Sequence, residues 1–321
     1  TFQRRFSDQG HSLVFMPKKK IFFLVGPTAI GKSEVAISLA KKIKAEIISC
    51  DSMQVYRGMD IITSKATPAQ KKAIKHHLQG IIEPAREYNV SKYRKQAIAV
   101  CNKLFKKGKL PLFVGGTGLY YSIIIDGLFC AAPRDKKIRA KLYKQLALKG
   151  SGWLHKKLAG VDHAASAKIH ANDARRIIRG LEVFMKTGKP ISSLQKQRAG
   201  LGPEYEIKIF GLTANRQALY KKINQRVERM FSSGLIDEVK RLLKHKLSRT
   251  AACAIGVAEL KDYFNGAHSL AQAKSLMQLA SRHYAKRQLT WFRKDKRIQW
   301  IKMKPAEKPK EVAQRIWKKL S

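Results

Sequence analysis

Acidic side chains are scarce: 22 Asp and Glu stand against 66 Lys and Arg, a formal charge of +44 over 321 residues. Solubility needs only a handful of net charges, so this excess points to a polyanionic partner. RNA or DNA comes first, an anionic membrane surface is the rival, and a generally basic proteome is the bland source. Cysteine is also sparse. Cys50, Cys101, Cys130 and Cys253 lie far apart, which excludes the paired spacings of zinc sites and disulfide frameworks and fits a reducing compartment, the cytoplasm. No apolar run approaches the ~20 residues of a membrane span, so a soluble protein without a membrane partner is expected. Leu13, Val14 and Phe15 are too few for a secretory signal. Residues 1–16 read as a disordered leader, with Met16 as the start. Repeats, low-complexity blocks and an exposed heptad stripe are all missing, which favours a monomer.

What is present alternates in type. Ile21 to Val25 is a continuous apolar run ending at Gly26, and Ser33 to Lys44 follows with Val35, Ile37, Ala40 and Ile43 at helical spacing. Glu46 to Ser49 predicts a second strand leading to Asp51. Ser91 is placed to cap a helix carrying Tyr93, Ala97, Val100, Cys101 and Leu104 on one face, closed by Gly108. Leu110 to Val114 predicts a third strand ending in Gly115-Gly116-Thr117-Gly118. Such alternation predicts an α/β fold, a parallel sheet flanked by helices.

Between Pro133 and Pro203 the pattern turns wholly helical and rich in Lys, Arg and Ala. A strand resumes over Ile207 to Leu212, and Asn215 then caps a helix with Leu219, Ile223, Val227 and Met230 on one face. A long helix is predicted over Leu270 to Arg293 and a basic amphipathic one over Glu311 to Leu320. The domains expected are a P-loop core over residues 17–132 and 206–303, an inserted all-helical domain over 133–205, and a C-terminal basic helix over 304–321.

Gly26-Pro27-Thr28-Ala29-Ile30-Gly31-Lys32-Ser33 matches the G-x-x-x-x-G-K-[ST] phosphate loop without deviation, between a predicted strand and a predicted helix. Glycines let backbone N–H groups turn toward phosphate oxygens, the helix N-terminus adds positive potential and Lys32 a full charge. The Ser33 hydroxyl is placed to ligate Mg²⁺. Any diphosphate or triphosphate offers these donors the same oxygens, so the loop does not name the ligand.

Asp51 and Thr117 both fall at the carboxyl edge of the sheet, where open α/β folds bind ligands. Asp51 reads as a metal ligand or turn former, or as a general base; Thr117 reads as a helix cap or as a site residue.

Together these segments resemble the tRNA dimethylallyltransferase (IPP transferase) family. The resemblance rests on Val25 to Ser33, Asp51-Ser52-Met53-Gln54-Val55-Tyr56, Gly58-Met59-Asp60-Ile61 and Val114 to Tyr120. It continues through Asn172-Asp173, Arg175-Arg176, Arg179, Leu181-Glu182 and Thr290 to Arg293, spanning residues 20 to 300 approximately. It implies a P-loop NTPase-like core and transfer of a dimethylallyl group from its diphosphate to N6 of adenine 37 in the anticodon loop of tRNA, without consumption of ATP. It implies Asp51, Thr117 and Arg226 as catalytic residues and Gly26 to Ser33 as the diphosphate loop, with Mg²⁺ at Ser33. It also implies tRNA contacts at Asp51, Ser52, Met53, Gln54, Thr117, Arg139, Arg175, Arg176, Ile177, Ile178 and Arg179.

The chain departs from the family at Ile62, at Ser64 and Ala66, at Gln79-Gly80, and at Val257 after Gly256. For Arg226 the plain alternative is a salt bridge; for Trp291 and Phe292 it is core packing rather than base stacking; for His76-His77 it is a structural role. A P-loop small-molecule kinase and a prenyltransferase acting on free adenine nucleotides remain competing readings, separated by phosphoryl transfer from ATP and by the acceptor used.

Overall fold

The computed structural model describes residues 18–129, 133–304 and 306–320. The expected leader and Cys130 lie outside them. In chain order the elements are β1 (Lys19–Val25), α1 (Lys32–Lys42), β2 (Ala45–Ser49), α2 (Pro68–Ala73), β3 (His76–His77), α3 (Val90–Lys106), β4 (Leu110–Gly115) and α4 (Gly118–Ile125). Next come α5 (Lys136–Val161), α6 (His163–Ser166), α7 (Ala174–Thr187), α8 (Ile191–Lys196), β5 (Tyr205–Thr213) and α9 (Arg216–Ser232). The chain ends with α10 (Leu235–Leu243), α11 (Val257–Phe264), α12 (Leu270–Phe292), β6 (Gln299–Lys302) and α13 (Pro309–Trp317).

The six strands form one sheet in the order β3-β2-β4-β1-β5-β6, and every pairing is parallel. A parallel sheet needs apolar cover on both faces. β1 shows why its sequence is continuously apolar: Ile21, Phe23 and Val25 enter one core cluster, while Phe22 and Leu24 enter the other. Val312, Ala313 and Ile316 of α13 are buried in the second cluster beside α1 residues.

Two strands were not legible in the sequence. β3 is two residues long and β6 four; both sit at the sheet edges, where pairing rather than an apolar run defines them. His77 accordingly serves structure, its Nε2 lying 2.6 Å from Glu46, which Lys109 also engages. The cap of α3 also differs from the expectation: Asn89, not Ser91, accepts the Lys92 N–H, because the helix begins at Val90, two residues earlier than a Ser91 cap implies.

α5 and α7 build a small core of their own from Leu142, Leu154, Leu158, Ile177, Ile178 and Leu181, and Ala165 of α6 and Ile191 of α8 pack with Val183 in a second cluster. α5 breaks at Gly150, whose φ of 75° lies outside helical space. At the root of this unit Glu182, 0% exposed, accepts the Asp135 N–H at 2.8 Å and pairs with Arg139 at 3.2 Å and Arg179 at 2.7 Å. These partners hold its carboxyl below the usual range against the opposing effect of burial.

Candidate active site

The loops after β1, β2 and β4 meet at the carboxyl edge of the sheet because those strands are parallel neighbours. The first, Gly26 to Gly31, wraps the start of α1. At Gly26 (φ +144°) a Cβ would lie 2.7 Å from the Leu212 carbonyl oxygen of β5, so only glycine lets β1 turn there.

Lys32 folds over this loop, donating to the Gly26 and Pro27 carbonyls at 3.0 and 2.7 Å. Burial, and then the Arg226 guanidinium, lower its pKa from 10.5 to about 8. An anion seated in the loop reverses that balance, since an opposite charge favours the ammonium form. Binding of inorganic diphosphate at pH 8 to 9 is therefore expected to take up protons. Affinity should weaken as pH rises above about 8 and the neutral amine gains population. Calorimetry in two buffers of different ionisation enthalpy measures the uptake in wild type and Lys32→Met; the same net proton count in both would show that Lys32 does not meet the anion.

Asp51 follows β2 and lies on the wall of the cavity described below. Its Oδ1 accepts the Met53 N–H at 2.9 Å, so the turn-forming role is real, and one oxygen is committed to it. Thr117 sits at the N-cap position of α4 but makes no capping bond. Its Oγ1 instead accepts the Ser52 N–H at 3.0 Å, tying the β4 loop to the β2 loop.

Arg226 reaches in from α9. Its partners are hydroxyls: Nε donates to Ser64 at 2.9 Å, and Nη1 donates to Thr28 of the phosphate loop. Among the described residues no carboxylate forms an ion pair with it, so the salt-bridge alternative is not what holds it. A guanidinium held by two hydroxyls keeps most of its charge for an incoming anion.

A cavity of about 250 Å³ joins Thr28 of the phosphate loop, Asp51 and Arg226. Thr28, Asp51, Arg226, Tyr284 and Arg287 give it a polar end, while Ile62, Ile223, Val227, Met230 and Met277 give it an apolar wall. Ile62, one of the departures from the family pattern, thus faces the cavity. The turn that carries it is held by buried Glu238, whose carboxylate accepts the Asp60, Ile61 and Ile62 N–H groups at 2.8 to 2.9 Å. Burial first and the Asp51 carboxylate second push the Tyr284 phenol above its ordinary range.

Gln288, 5% exposed, had no signal in the sequence, being one polar residue on a long helix. Its Oε1 accepts the Thr28 N–H at 2.8 Å and its Nε2 donates to the Gly116 carbonyl at 2.9 Å, so one amide from α12 clamps the loops after β1 and β4 together. Gln288→Ala strands the half-buried Thr28 N–H and the buried Gly116 carbonyl; a loss of about 1–3 kcal/mol is expected in urea denaturation. Gln288→Glu, which faces the Gly116 carbonyl with an acceptor, should be no better.

Other residues named from the sequence are placed differently. Ser52 and Met53 line the cavity. Gln54 does not offer a free amide: it accepts from Ser49 and Gln79 and donates to the Thr63 and Ser64 carbonyls. Ile177 and Ile178 are each 0% exposed, so their side chains pack in the core of the helical unit rather than on its surface. Arg175 and Arg176 are exposed on the same helix, with Arg176 3.3 Å from Asp173. None of Arg139, Arg175, Arg176 and Arg179 lines the cavity.

The fold and this edge define a P-loop α/β enzyme in which a cationic phosphate cradle and a carboxylate share a half-apolar cavity. The sequence profile of the IPP transferase family matches residues 54–295 and that of isopentenyl transferase residues 19–81. A tRNA dimethylallyltransferase of Pelotomaculum thermopropionicum is 44% identical over 302 residues, covering 93% of this chain and 96% of that protein. The full-length tRNA isopentenylpyrophosphate transferase of Bacillus halodurans superposes with a TM-score of 0.69 at 38% identity, covering 94% of this chain and 97% of that one. A eukaryotic dimethylallyltransferase acting on tRNA has a TM-score of 0.76 at 25% identity, covering 93% and 77%. The chain belongs to the IPP transferase family, and is a prenyltransferase.

Proposed function

We propose that this protein transfers a dimethylallyl group from dimethylallyl diphosphate to the N6 amine of adenine 37 in tRNA, releasing diphosphate and leaving N6-dimethylallyladenosine. The observation that carries the reading is the single cavity with two chemistries, a cationic end at Thr28 and Arg226 and an apolar wall of Ile62, Val227 and Met277. A donor with a diphosphate head and a five-carbon apolar tail needs both. The names of the relatives, prenyltransferases of tRNA, support it over the kinase reading.

Lys32 and Arg226 hold the diphosphate and stabilise the charge that grows on it as the allylic C–O bond breaks. Asp51, at the same polar end of the cavity, accepts the proton that the adenine amine loses as its nitrogen bonds to the allylic carbon. Thr117 keeps the Asp51-Ser52 turn in register through the Ser52 N–H. The donor set suits Mg²⁺ held by the Ser33 hydroxyl, phosphate oxygens and water. Among the described residues no cluster of three acidic, His or Cys groups offers an all-protein cage. When bound, the ion supplies further neutralisation of the leaving group.

The helical unit over residues 133–205 is read as the RNA-binding domain, with Arg139, Arg175, Arg176 and Arg179 gripping phosphates of the anticodon stem-loop. A single-stranded loop makes extrusion of the acceptor base inexpensive. The enzyme is taken to act as a cytoplasmic monomer. Among the described residues no helix is long and apolar enough to cross a membrane.

The test is transfer of labelled dimethylallyl from its diphosphate to unmodified tRNA carrying adenine 37, with AMP as the competing acceptor. Label on tRNA is expected. Label on AMP alone would move the protein to the nucleotide-prenylating branch, and ATP-dependent phosphoryl transfer without prenyl transfer would make it a kinase.

A further inference from the structure

Trp291 is 38% exposed although it lies on the stripe of α12 that serves the site. Tyr284 and Arg287 line the cavity, Gln288 clamps the loops, and Trp291 follows one turn beyond Arg287. Its ring rests on Gly118, directly after Thr117, where a Cβ would come within 2.3 Å of the indole. Tyr121 and Phe292 hold it edge-on, at 5.7 Å and 89° and at 5.3 Å and 83°. The indole is therefore fixed in place yet partly uncovered. Leu119, the next residue after Gly118, is 54% exposed.

The surroundings are cationic. Arg287, Arg293 and Lys294 are exposed, and the nearby carboxylate of Asp295 is already engaged by Tyr121 and Arg297, each at 2.7 Å. A rigid apolar ring among exposed cations, at the edge of the site, suits a nucleobase with its flanking phosphates rather than an apolar protein surface. There is also a need for it. Extruding the acceptor adenine leaves its neighbour in the loop without a stacking partner, and an indole next to Thr117 can replace that partner.

We propose that Trp291, with Leu119 beside it, is a stacking platform for a base adjacent to the acceptor adenosine. The proposal rests on the RNA-prenylating reading above. It concerns RNA affinity, not the chemistry.

The test compares wild type with Trp291→Leu, which keeps apolar packing on Gly118 and Tyr121, and with Trp291→Phe, which keeps a π face. Steady-state KM is measured separately for anticodon stem-loop RNA and for dimethylallyl diphosphate. Trp291→Leu should raise the RNA KM about tenfold with the donor KM and Tm unchanged, and Trp291→Phe should recover most of the loss. Leu119→Ser, at an exposed position, should raise the RNA KM in the same direction. In a Trp153→Phe, Trp300→Phe, Trp317→Phe background, emission from Trp291 should be quenched by the stem-loop and not by heparin. An RNA KM that Trp291→Leu leaves unchanged, or a change shared equally by donor KM and Tm, overturns the platform while leaving the enzyme's function intact. Wild type that prenylates no RNA overturns the functional reading, and the fluorescence titration then decides the platform separately.

Discussion

Asp51→Asn is expected to lower the kcat of prenyl transfer to tRNA by about a hundred- to ten-thousand-fold, the range typical of a lost general base. The substitution isolates the chemistry. The amide oxygen of Asn still accepts the Met53 N–H that Asp51 Oδ1 accepts at 2.9 Å, so the turn and the Ser52 bond to Thr117 survive. What disappears is the capacity to take a proton from an amine whose lone pair is delocalised into the purine ring. The KM for dimethylallyl diphosphate should stay near wild type, because Thr28, Lys32 and Arg226 are untouched. A kcat within a few-fold of wild type would reduce Asp51 to its role in the turn.

Lys32→Met is the second large effect. It keeps the length and much of the volume of the stem while removing the charge, and should cut kcat/KM for the donor by about a hundred- to a thousand-fold, as removal of one electrostatic stabiliser does elsewhere. Arg226→Met should act on the same leaving group, and with a further signature. Arg226 is the second cause of the lowered Lys32 pKa, so its removal should shift the pH above which donor binding weakens upward from about 8. A pH profile of kcat/KM for the donor in wild type and Arg226→Met checks this. Identical profiles would mean that the two cations do not share the diphosphate.

The parts of the fold that were legible are those in which a short segment carries its own reason. β1 is continuously apolar because both faces of a central parallel strand are buried, and the phosphate loop is a local strand–turn–helix motif whose donors come from its own backbone. Asn215 capping α9 and the apolar face Leu219, Ile223, Val227 and Met230 are likewise local. The misses have a common cause. Asn89 and Ser91 are both good caps two residues apart, and the choice between them follows from where α3 meets the core. Ile177 and Ile178 fall between arginines in sequence, yet a helix turns them inward while Arg175 and Arg176 face solvent.

Arg226, Gln54 and Gln288 show the same limit at the site. A polar side chain is described by its partners, and these lie far along the chain: Thr28 for Arg226, Gln79 for Gln54, and both Thr28 and Gly116 for Gln288. Only the meeting of loops in space pairs them.

The sequence by itself determined the class of chemistry. Gly26 to Ser33 can cradle phosphate wherever that strand and helix pack, and Asp51 and Thr117 end strands whose parallel pairing sends both to one edge. Only the tertiary structure decided what shares that edge with them. It brought Arg226 from α9 to the Thr28 hydroxyl, placed the Gln288 amide between Thr28 and Gly116, lined an apolar wall with Ile62 and Met277, and left Trp291 half-covered beside Gly118. The reason is physical: backbone donors and strand periodicity are properties of consecutive residues, whereas a cavity is made of side chains from segments whose spacing in the chain carries no information about their distance in space.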